Sequence, residues 1–149
     1  MRQLTRADFR RCCNLDSNSL SADRVIVDEW ICGSEPIQVT VFGGDSGPDP
    51  NKLALANDIL KNFDEVTQRA IELLEAFMKD RGRFVCGGLD LGLEAMRQEC
   101  AFMLELRFTA DRDPHEYGYT FFSVCFSEHP DHPAPRYRRH PFKFVVQFR

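Results

Sequence analysis

The chain has 149 residues, of which 43% are hydrophobic and 28% charged, and its formal net charge is −4. This length and apolar content suffice for the core of one domain, and they argue against a disordered chain. The acidic balance argues against nucleic-acid binding, which normally needs a basic surface to meet the phosphates. We therefore predict a single domain over residues 1–149 that does not bind nucleic acid.

The first part of the chain predicts a polar segment followed by a β-hairpin. Apolar and β-branched residues over 24–31, and alternation over 36–42, predict its two strands. Residues 32–36 are expected to form the turn between them, and the glycines and prolines of residues 43–50 a loop after them. Within the preceding polar segment, residues 1–23, three apolar residues are expected to contact the core: Leu4, Phe9 and Leu15.

Two consecutive helices are predicted over 51–62 and 64–80, where the apolar period lengthens from two residues to 3.6. Asp64 is predicted to cap the second helix, and Gly82 to supply a left-handed residue beyond its end. Few residues separate the two helices, so they are expected to form a helical hairpin. An apolar stripe marks the buried face of the second: Val66, Ala70, Leu73, Leu74, Phe77 and Met78.

The pattern after Gly82 is typical of strands. A short strand over 83–86 is predicted to break at Gly87-Gly88, and residues 89–98 fit either a loop or a short helix. A hairpin turn is expected over 111–116 and an exposed loop over 128–141. Three longer strands are predicted at 100–109, 117–127 and 142–149. The last strand is expected to place four residues on one face: Phe142, Phe144, Val146 and Phe148.

The order of these elements is two strands, two helices, and then three or four strands. Short connections between successive strands favour antiparallel pairing. Thirteen phenylalanines, most of them in the predicted strands, indicate a sheet with an aromatic face that needs a cover. The sequence therefore predicts an α+β fold in which a helical hairpin packs on one face of an antiparallel β-sheet.

Two motifs near the first loop resemble functional motifs but lack essential parts. Residues 44–47, Gly-Asp-Ser-Gly, match the start of a serine-protease segment, but all four histidines follow residue 114 and the chain is too short for that fold. Oxygen-bearing side chains between Asp45 and Asn51 suggest part of a calcium loop. Ala56 occupies the position where such a loop requires a bidentate glutamate. Neither motif predicts a site.

Histidines and carboxylates in the second half likewise suggest sites that their spacing does not support. Cys125, His129, His132 and His140 have a spacing that matches no common zinc site. A carboxylate and histidine pair at residues 111–116 suits acid–base chemistry, but turns favour these residue types for backbone reasons. The sequence predicts no catalytic residue, no metal site and no cofactor.

Six cysteines are present, and none belongs to a Cys-x-x-Cys pair. The polar start of the chain does not match a secretory signal, and no apolar run is long enough to cross a membrane. These features predict a cytoplasmic protein with reduced thiols. A disulfide from Cys12 or Cys13 remains an alternative.

The segment from Trp30 to Asp80 resembles a pattern found in small bacterial domains. It combines a tryptophan-containing hairpin, DEWICGSEPIQVTVFGG, with the helical segment LALANDILKNFDEVTQRAIELLEAFMKD. Several such domains look like immunity proteins, which bind and block a cognate bacterial toxin in the cytoplasm. The resemblance implies a non-enzymatic protein that acts by occlusion. Alternatives are a phage or secretion-system accessory protein, or a small enzyme or ligand-binding domain.

The negative charge is concentrated in the middle of the chain. Residues 45–99 contain eleven acidic and seven basic residues, which accounts for the whole net charge of −4. An acidic surface favours a basic protein partner. Eight residues are predicted to contact that partner: Asp45, Asp49, Glu65, Glu72, Glu75, Asp111, Asp113 and Glu116.

Overall fold

A computed structural model describes residues 3–13, 28–34 and 37–149. Eight strands in this part form one sheet: β1 (Arg10–Cys13), β2 (Asp28–Ser34), β3 (Ile37–Gly44), β4 (Gly47–Pro48), β5 (Gly82–Leu91), β6 (Phe102–Ala110), β7 (Thr120–Glu128) and β8 (Arg139–Phe148). Three α-helices accompany them: α1 (Pro50–Lys61), α2 (Phe63–Glu75) and α3 (Leu93–Arg97). The strand order is β1-β2-β3-β5-β6-β7-β8, with β4 paired to β3.

The predicted α+β class and the packing of two helices on the sheet are confirmed. α1 contacts β3 and β5, and α2 contacts β8, so the pair crosses the sheet. One strand pair departs from the antiparallel prediction, because β3 and β5 are parallel. The reason is topological: α1 and α2 carry the chain back along the sheet before β5 begins, which is the connection that parallel strands require.

The core lies between these helices and the sheet. β6 alternates as predicted, with Phe102, Leu104, Leu106 and Phe108 all buried on the helix-covered face. Neighbouring residues of β7 continue this face, because Phe126 pairs with Phe102. The helices contribute six buried residues: Ala56, Ile59, Leu60, Val66, Ala70 and Leu74.

The first hairpin forms as predicted, but both of its strands end later than predicted. β2 pairs antiparallel with β3, and residues 32–34 belong to the strand rather than to a turn. β3 likewise continues to Gly44, and a tight turn leads into β4. Leu4 and Phe9 are buried in the core as expected. Leu15 and residues 24–27 lie outside the described residues.

The boundaries of the second helix were predicted incorrectly. Asn62, not Asp64, occupies the capping position, and α2 ends at Glu75 rather than at residue 80. Gly82 is not a left-handed cap but the first residue of β5. Phe77 therefore lies beyond the helix and is 67% exposed, although its ring contacts Phe144 with centroids 5.3 Å apart.

β5 is one continuous strand, so the predicted break at Gly87-Gly88 is wrong. Cys86 pairs with Leu106 and Gly88 with Glu105, which leaves Gly87 as a bulge between the two pairs. A bulge absorbs one extra residue without ending the strand. Residues 89–91 complete β5, and the ambiguous segment then forms the short helix α3.

The last two strands also differ from the prediction at their ends. The turn after β6 extends to Tyr119, and β8 begins at Arg139, within the predicted loop, because Arg139 pairs with Glu128. Phe144 packs against the core as predicted, whereas other residues of that face are exposed: Phe142 by 46%, Val146 by 40% and Phe148 by 81%. The cause is that β8 is an edge strand and α2 ends before it covers them.

Within the described residues, no helix has the length and apolar character that crossing a bilayer requires.

Candidate protein-binding surface

A cleft of about 590 Å³ opens where α2 ends and β5 begins. Phe84, Phe108 and Met78 form its apolar floor, and both phenylalanines are almost completely buried. Charged residues form the rest of the lining: Glu75, Lys79, Asp80, Arg81 and Asp111. We refer to this site as the acidic cleft. Its walls come from residues far apart in sequence, because β5 and β6 pair at this end of the sheet.

The position of Gly82 explains why the floor of the acidic cleft is tightly packed. A Cβ atom added there would lie 2.2 Å from the carbonyl oxygen of Thr109 and 2.5 Å from the ring of Phe108. Any larger residue would therefore push the phenylalanine or the β6 backbone aside. The two phenylalanine rings contact each other with centroids 4.7 Å apart, so the floor is a rigid aromatic surface.

The turn after β6 adds a second group of charges beside the cleft. The Tyr117 hydroxyl donates a hydrogen bond of 2.8 Å to Asp80 Oδ2, and this bond raises the pKa of Tyr117. Arg112 lies 3.9 Å from Asp80 and 3.6 Å from Glu116. Asp113 accepts a hydrogen bond from the backbone N–H of His115 and thereby shapes the turn.

Glu75 and Asp111 differ from Asp80 and Glu116, because neither forms an ion pair within the described part of the chain. Both are exposed. The cleft and the turn together carry five carboxylates against three basic side chains, those of Lys79, Arg81 and Arg112. Glu75 and Asp111 therefore present their charge to a ligand, whereas Asp80 and Glu116 share the charge of Arg112.

The structure brings together four of the eight predicted contact residues. Glu75 and Asp111 line the acidic cleft, and Asp113 and Glu116 lie on the adjoining turn. Glu72 lies one helical turn before Glu75 and is exposed on α2. The sequence alone did not connect these groups, because residues 72–75 and 111–116 meet only through strand pairing.

Asp45 and Asp49 lie at the opposite end of the sheet, where β3 ends. Asp45 lies in the turn between β3 and β4, where it pairs with Arg11 of β1. Asp49 caps α1, where its Oδ1 accepts hydrogen bonds from the backbone N–H groups of Asn51 and Lys52 at 2.9 and 3.1 Å. The Asp49 carboxylate thus has a structural role at the helix start.

Glu65 belongs to a separate groove of about 400 Å³ between the helices and the loop before β8. There it pairs with Arg69, whose Nη1 donates to the carbonyl oxygens of Arg136 and Arg139 at 2.8 and 2.6 Å. Arg139 itself binds Asp58 of α1 at 2.8 Å and Glu128 of β7. These contacts tie α1 and α2 to the end of the sheet, and sequence reasoning missed them.

Replacing Arg139 with methionine tests this structural role. Arg139 and Glu128 each have side chains only 18% exposed, so the change leaves a largely buried carboxylate without its partner. We expect the free energy of unfolding to fall by about 1–3 kcal/mol, less than for a fully buried pair. Urea denaturation measures the change, and the double variant Glu128→Gln/Arg139→Met should recover part of it.

Arg112→Met is the matched control, because the Arg112 side chain is 77% exposed and surface pairs contribute at most about 1 kcal/mol. Equal destabilisation by Arg139→Met and Arg112→Met would contradict the structural role of the Arg139 network.

A third site lies on the face of the sheet that α1 and α2 leave uncovered. Asp90, Glu94 and Glu105 line a cleft of about 260 Å³ there. Asp90 Oδ1 accepts hydrogen bonds from the backbone N–H groups of Gly92 and Ala95 at 2.9 and 3.3 Å. Burial raises the pKa of Asp90 from 3.8 to about 6. Sequence reasoning missed this role of Asp90. An aspartate shortly before a helix is typical of a capping residue and could have indicated it.

The predicted absence of metal and catalytic sites stays a prediction. In residues 3–13, 28–34 and 37–149, no cluster of three or more metal-binding side chains occurs. His129 and His140 stack with ring centroids 5.9 Å apart, and Ser127 hydrogen bonds to His140. Cys12 is a free thiol, so it forms no disulfide, and the side chain of Cys13 lies outside the described residues.

The geometry defines an α+β protein with an acidic cleft at one end of a mixed sheet. Comparison of the chain with models of known protein families, with curated proteins and with solved structures gave no significant match.

Proposed function

We propose that this protein binds another protein through the acidic cleft. One observation carries the proposal: Glu75 and Asp111, two exposed carboxylates without ion pairs of their own, line a cleft with an apolar floor. The carboxylates and the aromatic floor suit recognition of a basic side chain.

A lysine or arginine of the partner would match both parts of the cleft. Its aliphatic stem would lie on Met78 and Phe84, while its charged group would reach Glu75 and Asp111. Hydrogen bonds between a guanidinium and carboxylates are charge-assisted and geometrically specific, which favours arginine. Lys79 and Arg81 also line the cleft. They would repel a partner whose positive charge met them rather than Glu75 and Asp111.

We infer further that the partner is a bacterial toxin, which the protein neutralises by covering its functional surface. The resemblance of residues 30–80 to immunity proteins supports this choice, and toxins that act on nucleic acids carry the basic surfaces that such a cleft would meet. A phage or secretion-system accessory protein could use the same cleft. The identity of the partner distinguishes these two functions.

The test is co-expression with the product of the adjacent gene, followed by calorimetric titration of the two purified proteins. We expect a 1:1 complex whose affinity falls as salt is raised, because the contacts are charged. Glu75→Gln/Asp111→Asn should weaken binding by at least about 100-fold, because two charged hydrogen bonds of about 1.5–3 kcal/mol each are lost. The same variant should lose protection of cells against the toxin.

Asp45→Asn/Glu65→Gln is the matched control, because it removes two carboxylates that lie away from the cleft. Its affinity should remain close to that of the unchanged protein. A complex that both double variants weaken equally would refute the role of the cleft. Failure to bind the adjacent gene product or any other protein in stoichiometric amount would refute the binding function itself.

A further inference from the structure

β8 forms one edge of the sheet, and its second half presents free main-chain groups. Within the described residues it pairs with β7 and with no other strand. It runs for ten residues, from Arg139 to Phe148. Edge strands offer unpaired main-chain groups to other chains, and proteins usually protect them with short length, charge or a cover.

The hydrogen bonding to β7 identifies which backbone groups face outward. The backbone N–H of Arg149 donates to the carbonyl oxygen of Tyr119 at 2.9 Å, so Arg149 points toward β7. Because the direction alternates along a strand, Phe144, Val146 and Phe148 direct their N–H and C=O groups away from the sheet. Proline at 141 and a bulge at Phe142 limit this free edge at its other end.

The same residues expose apolar side chains. Phe148 is 81% exposed and Val146 is 40% exposed, and Phe77 beyond α2 is 67% exposed against Phe144. Together they form a continuous apolar strip beside free hydrogen-bonding groups. We refer to Phe77, Phe144, Val146 and Phe148 as the β8 strip.

We propose that the β8 strip binds a second copy of this chain, and that two β8 strands pair antiparallel across a two-fold axis. In this arrangement the outward N–H and C=O groups of Phe144 would form hydrogen bonds with those of the second copy's Val146. By symmetry, Val146 would bond to the second copy's Phe144. The two sheets would join into one sheet of about twice the width. The observations behind this proposal are separate from those on the acidic cleft, although Phe77 is next in sequence to Met78 of the cleft floor.

Self-pairing suits the sequence of β8 better than pairing with an unrelated strand. With Phe144 opposite Val146, Phe148 lies opposite the second copy's Phe142, so apolar residues meet across the axis. On the other sheet face, Lys143 lies opposite Gln147, and no like charges face each other. A shift of two residues would place Lys143 opposite Arg149, whose repulsion disfavours that register.

Sedimentation equilibrium over micromolar to submillimolar concentrations tests the proposal on the full chain. We expect the mass to rise from 17.2 kDa to twice this value. Val146→Lys should raise the dissociation constant at least 100-fold, because it places a charge at the centre of the paired strands. Val85→Lys is the matched control: Val85 is 54% exposed but lies on an interior strand, and its variant should still dimerise.

Amide hydrogen exchange of the unchanged protein provides a second measurement that needs no variant. Protection of the Val146 and Phe148 amides should increase with protein concentration, whereas that of Tyr119 should not. A mass of 17.2 kDa at every concentration would overturn the proposal and leave the edge open to a different protein. A dimer that Val146→Lys leaves intact, with exchange at β8 independent of concentration, would also overturn it.

Discussion

Replacing Phe102 with alanine is expected to lower the free energy of unfolding by about 3–5 kcal/mol, the usual cost of removing a buried phenyl ring. Phe102 is completely buried on β6 and stacks on Phe126 with ring centroids 4.7 Å apart and planes inclined by 12°. The guanidinium of Arg139 lies 5.9 Å from the centroid of its ring. The substitution therefore opens a cavity where the sheet meets the ion pairs that hold α1 and α2.

Urea denaturation monitored by circular dichroism measures this loss. Tyr119→Ala is the control, because it also removes an aromatic ring but from a side chain that is 78% exposed. Surface changes of that kind usually alter stability by no more than about 0.5 kcal/mol. A loss below about 1 kcal/mol for Phe102→Ala would contradict the packing of this core.

Replacing Asp90 with asparagine is expected to stabilise the protein at pH 8 by about 1–3 kcal/mol. Burial raises the pKa of Asp90 from 3.8 to about 6, and the nearby carboxylates of Glu29 and Glu94 add to this rise. Ionised Asp90 is therefore unfavourable in the folded protein at neutral pH. Asparagine carries no charge and keeps an oxygen for the N–H groups of Gly92 and Ala95.

The pH dependence follows from the direction of this change. The folded protein binds the Asp90 proton more tightly than the unfolded chain, so this contribution to stability is complete below about pH 4 and is lost as pH rises through about 6. The difference between these two pKa values corresponds to about 3 kcal/mol, which sets the upper limit of the gain. Below pH 4 the advantage of Asp90→Asn should disappear.

Urea denaturation at pH 4, 6 and 8, at one fixed protein concentration, measures the difference between the variant and the unchanged protein. Asp131→Asn provides the comparison, because Asp131 is an exposed residue of the loop before β8. Its effect should be small at every pH. An equal gain from Asp90→Asn at pH 4 and pH 8 would show that charge burial is not the cause.

The sequence could predict most helices and strands, because their apolar periods reflect which side of each element faces the core. The alternation in β6 and the stripe from Val66 to Leu74 both correspond to buried faces. Element ends were less predictable. Phe77 continues the helical period, yet α2 stops at Glu75, because the period records apolar spacing and not the backbone contacts that end a helix.

The candidate site could be predicted only in part. Acidic residues at 72–75 and 111–116 were visible in the sequence, but their meeting at one cleft depends on the pairing of β5 with β6. The roles of Asp49, as a helix cap, and Glu65, as a partner of Arg69, likewise depend on their neighbours in space. The sequence shows which residues are charged, but only the structure shows which carboxylates are already bound by a neighbour.

The sequence by itself determined the α+β class, the two consecutive helices and the aromatic face of the sheet, because each follows from the local pattern of apolar residues. Only the tertiary structure decided that β3 and β5 run parallel, that Asp90 is buried, and that β8 is left as an exposed edge. These features depend on which segments become neighbours. Contacts between residues distant in the chain determine which segments become neighbours, and local apolar periodicity does not predict those contacts.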